Sequence, residues 1–109
     1  MDENRPVIAF AEHNGNYSAA YKNLFDWVSR IDPKVYQNKA MVLLATSPGG
    51  RGGKGVLEIA INSMPRYGGI VKASLSLPKF ADYFDVDMGE IVDEKVKTEV
   101  YHAINKLLD

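Results

Sequence analysis

The chain of 109 residues has no cysteine. That excludes disulfides, thiolate nucleophiles and zinc–thiolate sites together, and it points to a reducing compartment. Histidine is scarce: His13 and His102 stand far apart, and no His or carboxylate cluster has metal-ligand spacing. A metal centre is therefore not expected. Basic excess is lacking too. Thirteen Lys and Arg against 14 Asp and Glu leave a formal net charge of −1, with the signs interspersed, so the electrostatic footprint of a nucleic-acid binder is missing. No apolar run approaches the ~20 residues of a membrane-spanning helix. The polar, acidic stretch from Met1 to Pro6 lacks the apolar core of a signal peptide. These absences lead us to expect a cytoplasmic protein with neither nucleic acid nor membrane as partner.

What is present fits one soluble globular domain. Apolar residues make up 46% and charged residues 25% of the chain, close to globular averages, and the length suffices for a single core. No internal repeat, low-complexity tract or long linker interrupts it. Pro6 to Ala11 reads as a buried strand, with Pro6 acceptable only as its first residue. The polar stretch from Glu12 to Asn16 carries a central glycine, and Ser18 is a helix N-cap candidate. From Ala19 to Ile31, Ala20, Leu24, Trp27, Val28 and Ile31 recur at helical spacing and define the expected core face of an amphipathic helix. Ala40 to Thr46 is apolar on both faces, as a central parallel strand covered by helices should be.

The next helix carries Val56 to Met64, stops at Pro65 and is closed by Gly68-Gly69. In Ile70 to Leu77, Val71, Ala73, Leu75 and Leu77 alternate with Lys72, Ser74 and Ser76, which predicts an edge strand with one apolar face. Pro78 to Val92 reads as a loop anchored by Phe80, Tyr83 and Phe84. Asp93 then caps a terminal helix whose stripe is Val96, Val100, Ala103, Ile104, Leu107 and Leu108. The alternation of strand and helix argues an α/β layered fold with a parallel sheet. In such folds, ligands sit beyond the carboxyl ends of the strands. Two loops follow strands and share that edge: Glu12 to Ser18, and the glycine-rich Ser47-Pro48-Gly49-Gly50-Arg51-Gly52-Gly53.

Gly50 to Gly55 matches the G-x-G-x-x-G dinucleotide pattern literally. The acidic residue that should follow some twenty positions later, to hold the ribose hydroxyls, is absent from Ile70 to Leu77. A nucleotide-hydrolase phosphate loop fails as well, because Gly53-Lys54 is followed by Gly55 and not by Ser or Thr.

The segments Glu12-His13-Asn14-Gly15-Asn16-Tyr17-Ser18, Lys22-Asn23 with Asp26-Trp27, and Ser47-Pro48-Gly49-Gly50 resemble, in order, motifs of the NADPH-dependent FMN reductase family. His13 stands where the family usually has Tyr, and Asn16 where it has Ser. The similarity runs from about Pro6 to the C-terminus. It implies a three-layer flavodoxin-like fold, with FMN as cofactor, NAD(P)H as co-substrate, and hydride transfer carried by the flavin, so that no side chain need act as acid or base. It assigns Glu12, His13, Asn14, Gly15 and Tyr17 to one side of the flavin-ring site, and Ser47, Gly49, Gly50, Arg51 and Gly52 to the other. Members have five parallel strands in the order 2-1-3-4-5, and this chain carries counterparts of the last three. The phosphate-binding loop and the preceding strands are then expected to be encoded upstream of Met1, to come from a partner chain, or to be lost. Pro6 to Ala11 becomes an open edge that favours a homo-oligomer or pairing with a chain supplying the missing half. Two functions fit: a flavin-dependent reductase, and a non-catalytic α/β interaction module that keeps the scaffold.

Residue by residue, alternatives stand beside these roles. Arg51 fits a cofactor contact or plain solvation, and His13 a ring contact or a backbone-bonded loop. Glu12 fits a ring hydrogen bond or a cap, through its charge, of the helix that follows it, and Tyr17 a ring contact or a core anchor.

Overall fold

The structure is a computed structural model that describes residues 5–108. Three parallel strands, β1 (Val7–Phe10), β2 (Lys39–Thr46) and β3 (Gly69–Leu77), form a sheet in the order β1-β2-β3. Helix α1 (Ala19–Ile31) connects β1 to β2, and α2 (Lys54–Ser63) connects β2 to β3. Helix α3 (Glu94–Asn105) follows β3 after a short hairpin, β4 (Phe84–Asp85) and β5 (Glu90–Ile91). Strand β2 is central, and its side chains alternate between two cores. Met41, Leu43 and Ala45 pack with Phe10 and with Val56, Leu57 and Ala60 of α2. Val42, with Ala40 and Leu44 beside it, packs against Ala103 and Leu107 on the α3 side. The three-layer α/β arrangement expected from the sequence is thus present, with α2 and the aromatic residues around α1 on one face and α3 on the other.

The capping chemistry matches its sequence signals. The Ser18 Oγ accepts the Tyr21 N–H at 3.2 Å, and Asp93 Oδ1 accepts those of Lys95 and Val96 at 2.8 and 3.1 Å. Helix α2 runs into a 3-10 turn at Met64–Tyr67 and ends at Gly68, whose φ of 82° closes the turn.

Three expectations are corrected. The first concerns α1, where Leu24, Trp27 and Ile31 are 64, 69 and 86% exposed. The face that packs is the aromatic one: Tyr21 meets Phe10 edge-on at 5.2 Å between ring centroids and Tyr17 at 4.8 Å, while Phe25 meets Tyr67 edge-on at 4.8 Å. Interlocking rings hold a helix by geometry as well as by area, and they outcompete the aliphatic stripe. The second concerns β3. Its register against β2 slips between Met41 and Val42, pairing Met41 with Val71 but Val42 with Ala73. Lys72 is the extra residue of a bulge, so Val71 joins the α2-side core and Ala73 the α3-side core. The alternating apolar residues therefore serve two faces. The third is Leu108, which is exposed at the end of the C-terminal stripe.

The Tyr21 and Tyr36 hydroxyls hydrogen-bond to each other. Burial first, and then the Tyr36 hydroxyl, push the Tyr21 phenol far above its ordinary value of 10.0. Burial likewise raises Tyr36. A phenol whose folded pKa exceeds its unfolded value contributes stability that is full below about pH 10 and is lost as pH rises above it. Thermal melts from pH 7 to 11 should show stability falling above about pH 10, and Tyr21→Phe should flatten that fall.

Candidate functional site

The site begins where β1 and β2 end. After β1, His13 and Asn16 exchange backbone hydrogen bonds of 2.9 and 3.1 Å across Asn14 and Gly15. Both central residues have positive φ, 54° and 78°, which is the I′ type of two-residue turn, favoured for Asn-Gly. The turn exposes His13, Asn14 and Gly15. Tyr17 turns inward, packing on Phe10 at 5.4 Å between centroids, with its hydroxyl 3.2 Å from Ser63 Oγ.

After β2, Ser47 folds the glycine loop on itself. Its hydroxyl donates to the Gly49 carbonyl at 3.2 Å and accepts the Gly52 N–H at 2.9 Å. The segment beyond β3 grips the same loop from outside. Lys79 N–H donates to the Gly49 carbonyl at 2.8 Å and Phe80 N–H to that of Ser47 at 3.0 Å. Ser76 Oγ donates to the Gly52 carbonyl at 3.0 Å. Buried Tyr83 anchors that segment by donating to the Leu77 carbonyl, which Thr46 also meets.

The loop's four glycines divide into two pairs. Gly52 and Gly53 have φ of 61° and 75°, and a Cβ would lie 2.8 Å from the Pro78 nitrogen in the first case and 2.8 Å from Ala45 Cβ in the second. The fold itself requires glycine there. Gly49 and Gly50 have no left-handed φ, and a Cβ on either would meet nothing within 4 Å. Among the described residues, the N–H groups of Gly49, Gly50 and Arg51 donate to no protein acceptor, whereas that of Gly52 does.

A single carboxylate joins the two loops. Glu12 Oε1 accepts the Val56 N–H at 2.9 Å in the first turn of α2, so Glu12 caps α2 and not the helix that follows it in sequence. Gly55 permits the contact: a Cβ there would strike Glu12 Oε1 and lie 3.2 Å from the Gly15 carbonyl. The α2 N-terminus, where a phosphate would sit in a dinucleotide or phosphate-loop site, is thus filled by the chain's own carboxylate. This is the physical reason the G-x-G-x-x-G match carries no phosphate cradle. Arg51, Lys54 and Lys79 are exposed around the loop.

Of the ten residues expected at the site, the structure gathers both loops at the carboxyl edge of the sheet through the contacts of Glu12 and Gly15 with α2. It turns Tyr17 into the core and uses Ser47 and Gly52 for the loop's own closure. Sequence reasoning missed Gly55, Ser76 and Lys79. The glycine after Lys54 was a visible signal for close approach, but Ser76 and Lys79 reach the site only through the pairing of β3 with β2.

Residues 5–82 match the family of NADPH-dependent FMN reductases. The chain belongs to the NADPH-dependent FMN reductase family. The match begins before β1 and ends within the 3-10 turn at Phe80–Asp82, so both loops and the segment gripping them fall inside it, whereas α3 falls outside. Among curated proteins, none matches the chain. The three-stranded parallel sheet with its helices accords with the flavodoxin-like fold of this family, and membership supports flavin-dependent NAD(P)H reductase chemistry at the family level. Among the described residues no helix is long and apolar enough to cross a membrane.

Proposed function

We propose that this chain holds the isoalloxazine ring of FMN between its two loops, as the ring-binding part of a cytoplasmic NAD(P)H-dependent flavin reductase. The observation that carries the reading is the pair Gly49 and Gly50. Neither packing nor backbone conformation requires glycine there, yet their N–H groups, with that of Arg51, are left without a protein acceptor among the described residues. Unhindered amides beside open space suit the carbonyl edge of a flat heterocycle, which needs donors and close approach. When bound, FMN supplies the hydride chemistry.

The chain's own groups then have distinct tasks. The Gly49, Gly50 and Arg51 amides orient the ring and favour negative charge on its carbonyl edge. Exposed Asn14 and Gly15 face it from the other loop, and the His13 imidazole covers it from solvent. Glu12 sets the spacing between loops, and Ser47 and Gly52 hold the donor loop in shape. The phosphate of FMN is held elsewhere, by groups that arrive with a further strand on β1. That strand's outer edge is unpaired among the described residues, and Val7 on it is 43% exposed; an open apolar edge is where another strand adds.

Titrating the protein with lumiflavin, which has the ring alone, and with FMN tests the reading by flavin fluorescence. Both are expected to bind, with similar affinity, because Glu12 already fills the α2 N-terminus. Absence of binding by either flavin would favour the non-catalytic interaction module. FMN binding far more tightly than lumiflavin would contradict the division of ring from phosphate.

A further inference from the structure

Between the aromatic face of α1 and helix α2 lies a cavity of about 260 Å³. The glycine loop takes no part in its lining, and the first loop touches it only through Asn16 and Tyr17. Its walls are rings. Tyr21 and Phe25 stand one helical turn apart, which puts their side chains in a row, with centroids 6.1 Å from each other. Tyr17 extends the row at 4.8 Å from Tyr21, and Tyr67 closes it edge-on to Phe25 at 4.8 Å. Helix α2 contributes Ile59 and Ser63, again one turn apart.

The polar groups left free on this lining are of one kind. The Ser63 hydroxyl is engaged with that of Tyr17 at 3.2 Å, and the Tyr21 hydroxyl with that of Tyr36. Asn16 Oδ1 accepts the Tyr17 N–H at 2.7 Å. The Asn16 Nδ2 donors and the Tyr67 hydroxyl have no protein partner among the described residues. Lys22 is the one charged residue on the lining. Its ammonium gives hydrogens to Asp26 at 2.8 and 2.9 Å and keeps a third, while Asp26 itself lies outside the lining.

We infer that this cavity binds a single-ring aromatic carboxylate, with its ring among the tyrosines and its carboxylate on the Lys22 ammonium. A flat ring finds both faces and edges of other rings here, the arrangements that aromatic pairs prefer. A cation and free donors, with no carboxylate on the lining, suit an anion. A neutral ring would leave the ammonium unanswered, and a cationic one would be repelled by it. Size sets the number of rings. A cavity of ~150 Å³ takes benzene, so 260 Å³ admits one ring with its carboxylate and is too small for the three fused rings of a flavin. The site is therefore distinct from the proposed flavin-ring site, and neither reading depends on the other.

Titrating the ¹⁵N-labelled protein with benzoate, with no flavin present, tests the inference. Saturable amide shifts are expected at Asn16, Lys22, Ile59, Ser63 and Tyr67, with a Kd of about 1 mM or below, while Gly49 and Gly50 stay unmoved. Benzamide keeps the ring without the charge, and acetate keeps the charge without the ring. Each should bind at least about tenfold more weakly. Lys22 is exposed, so Lys22→Met should fold normally, bind benzoate about tenfold more weakly and leave benzamide binding unchanged. Asp26→Asn frees the ammonium and removes a nearby negative charge, so it should tighten benzoate binding. No saturable shift at these residues by about 10 mM benzoate would overturn the inference. So would benzamide or acetate binding as tightly as benzoate, Lys22→Met binding benzoate as the unaltered chain does, or Asp26→Asn leaving its affinity unchanged or lowered.

Discussion

Gly52→Ala is expected to lower the melting temperature by about 10 °C or more, while Gly50→Ala leaves it unchanged. The two glycines stand two residues apart in one loop, and composition does not distinguish them. At Gly52 the methyl would occupy a left-handed φ of 61° and press on the Pro78 backbone and on Ser76 Oγ. The conformational penalty is about 1–2 kcal/mol. The collision with backbone, which cannot rotate away, brings the total to roughly 2–4 kcal/mol. The hydrogen bonds at risk are those that shape the loop: Gly52 N–H to Ser47 and Ser76 Oγ to the Gly52 carbonyl. At Gly50 nothing stands within 4 Å, and alanine there even restrains the unfolded chain. The cost at Gly50 is expected in ligand binding, with ring affinity falling by about tenfold, or ~1.4 kcal/mol. Paired thermal melts and flavin titrations of the two variants check this opposition.

Glu12→Ala is expected to destabilise the protein by about 1–2 kcal/mol, the range for losing a helix cap that leaves a half-buried N–H without its acceptor. Gly55→Ala should cost about 2 kcal/mol through its collision with the same carboxylate. The informative variant is the double one. With Glu12 truncated, most of the collision at Gly55 vanishes, and alanine is the better helix former by about 1 kcal/mol. The double variant should therefore be no less stable than Gly55→Ala alone, a coupling that denaturant melts resolve. Strict additivity would mean that Glu12 and Gly55 do not share one contact. Both single variants should also weaken ring binding, since the latch sets the distance between the loops.

The sequence made the architecture legible wherever one residue type has one physical use. The double-sided apolar run at Ala40 to Thr46 could only be a central strand, and it is. Ser18 and Asp93 mark helix starts because their oxygens reach free N–H groups two or three residues on. The central glycine of Glu12 to Asn16 marked a loop, but not the tight two-residue turn at Asn14-Gly15. What stayed hidden depends on competition or on pairing between distant segments. Tyr21 and Phe25 against Leu24 and Trp27 is a contest between two apolar faces of one helix. The partners that decide it, Tyr36 and Tyr67, lie far along the chain. The bulge at Lys72 is a matter of register, invisible in a run whose alternation looks regular. The short hairpin of β4 and β5 is too brief for periodicity to reveal. At the site, glycine content pointed to the loop, but only geometry separates the glycines the fold requires from those it does not. Glu12, read as either a ring contact or a cap of the helix that follows it, instead caps α2, a helix that begins 42 positions later.

The most direct measurement is an amide correlation spectrum of the ¹⁵N-labelled protein titrated with lumiflavin. The account predicts that the Gly49, Gly50 and Arg51 amides shift first and furthest, followed by Asn14 and Gly15, while Gly52 and Val56, whose N–H groups are already engaged, shift little. Saturating lumiflavin that leaves the Gly49, Gly50 and Arg51 amides unmoved, or shifts confined to another face of the sheet, would contradict it.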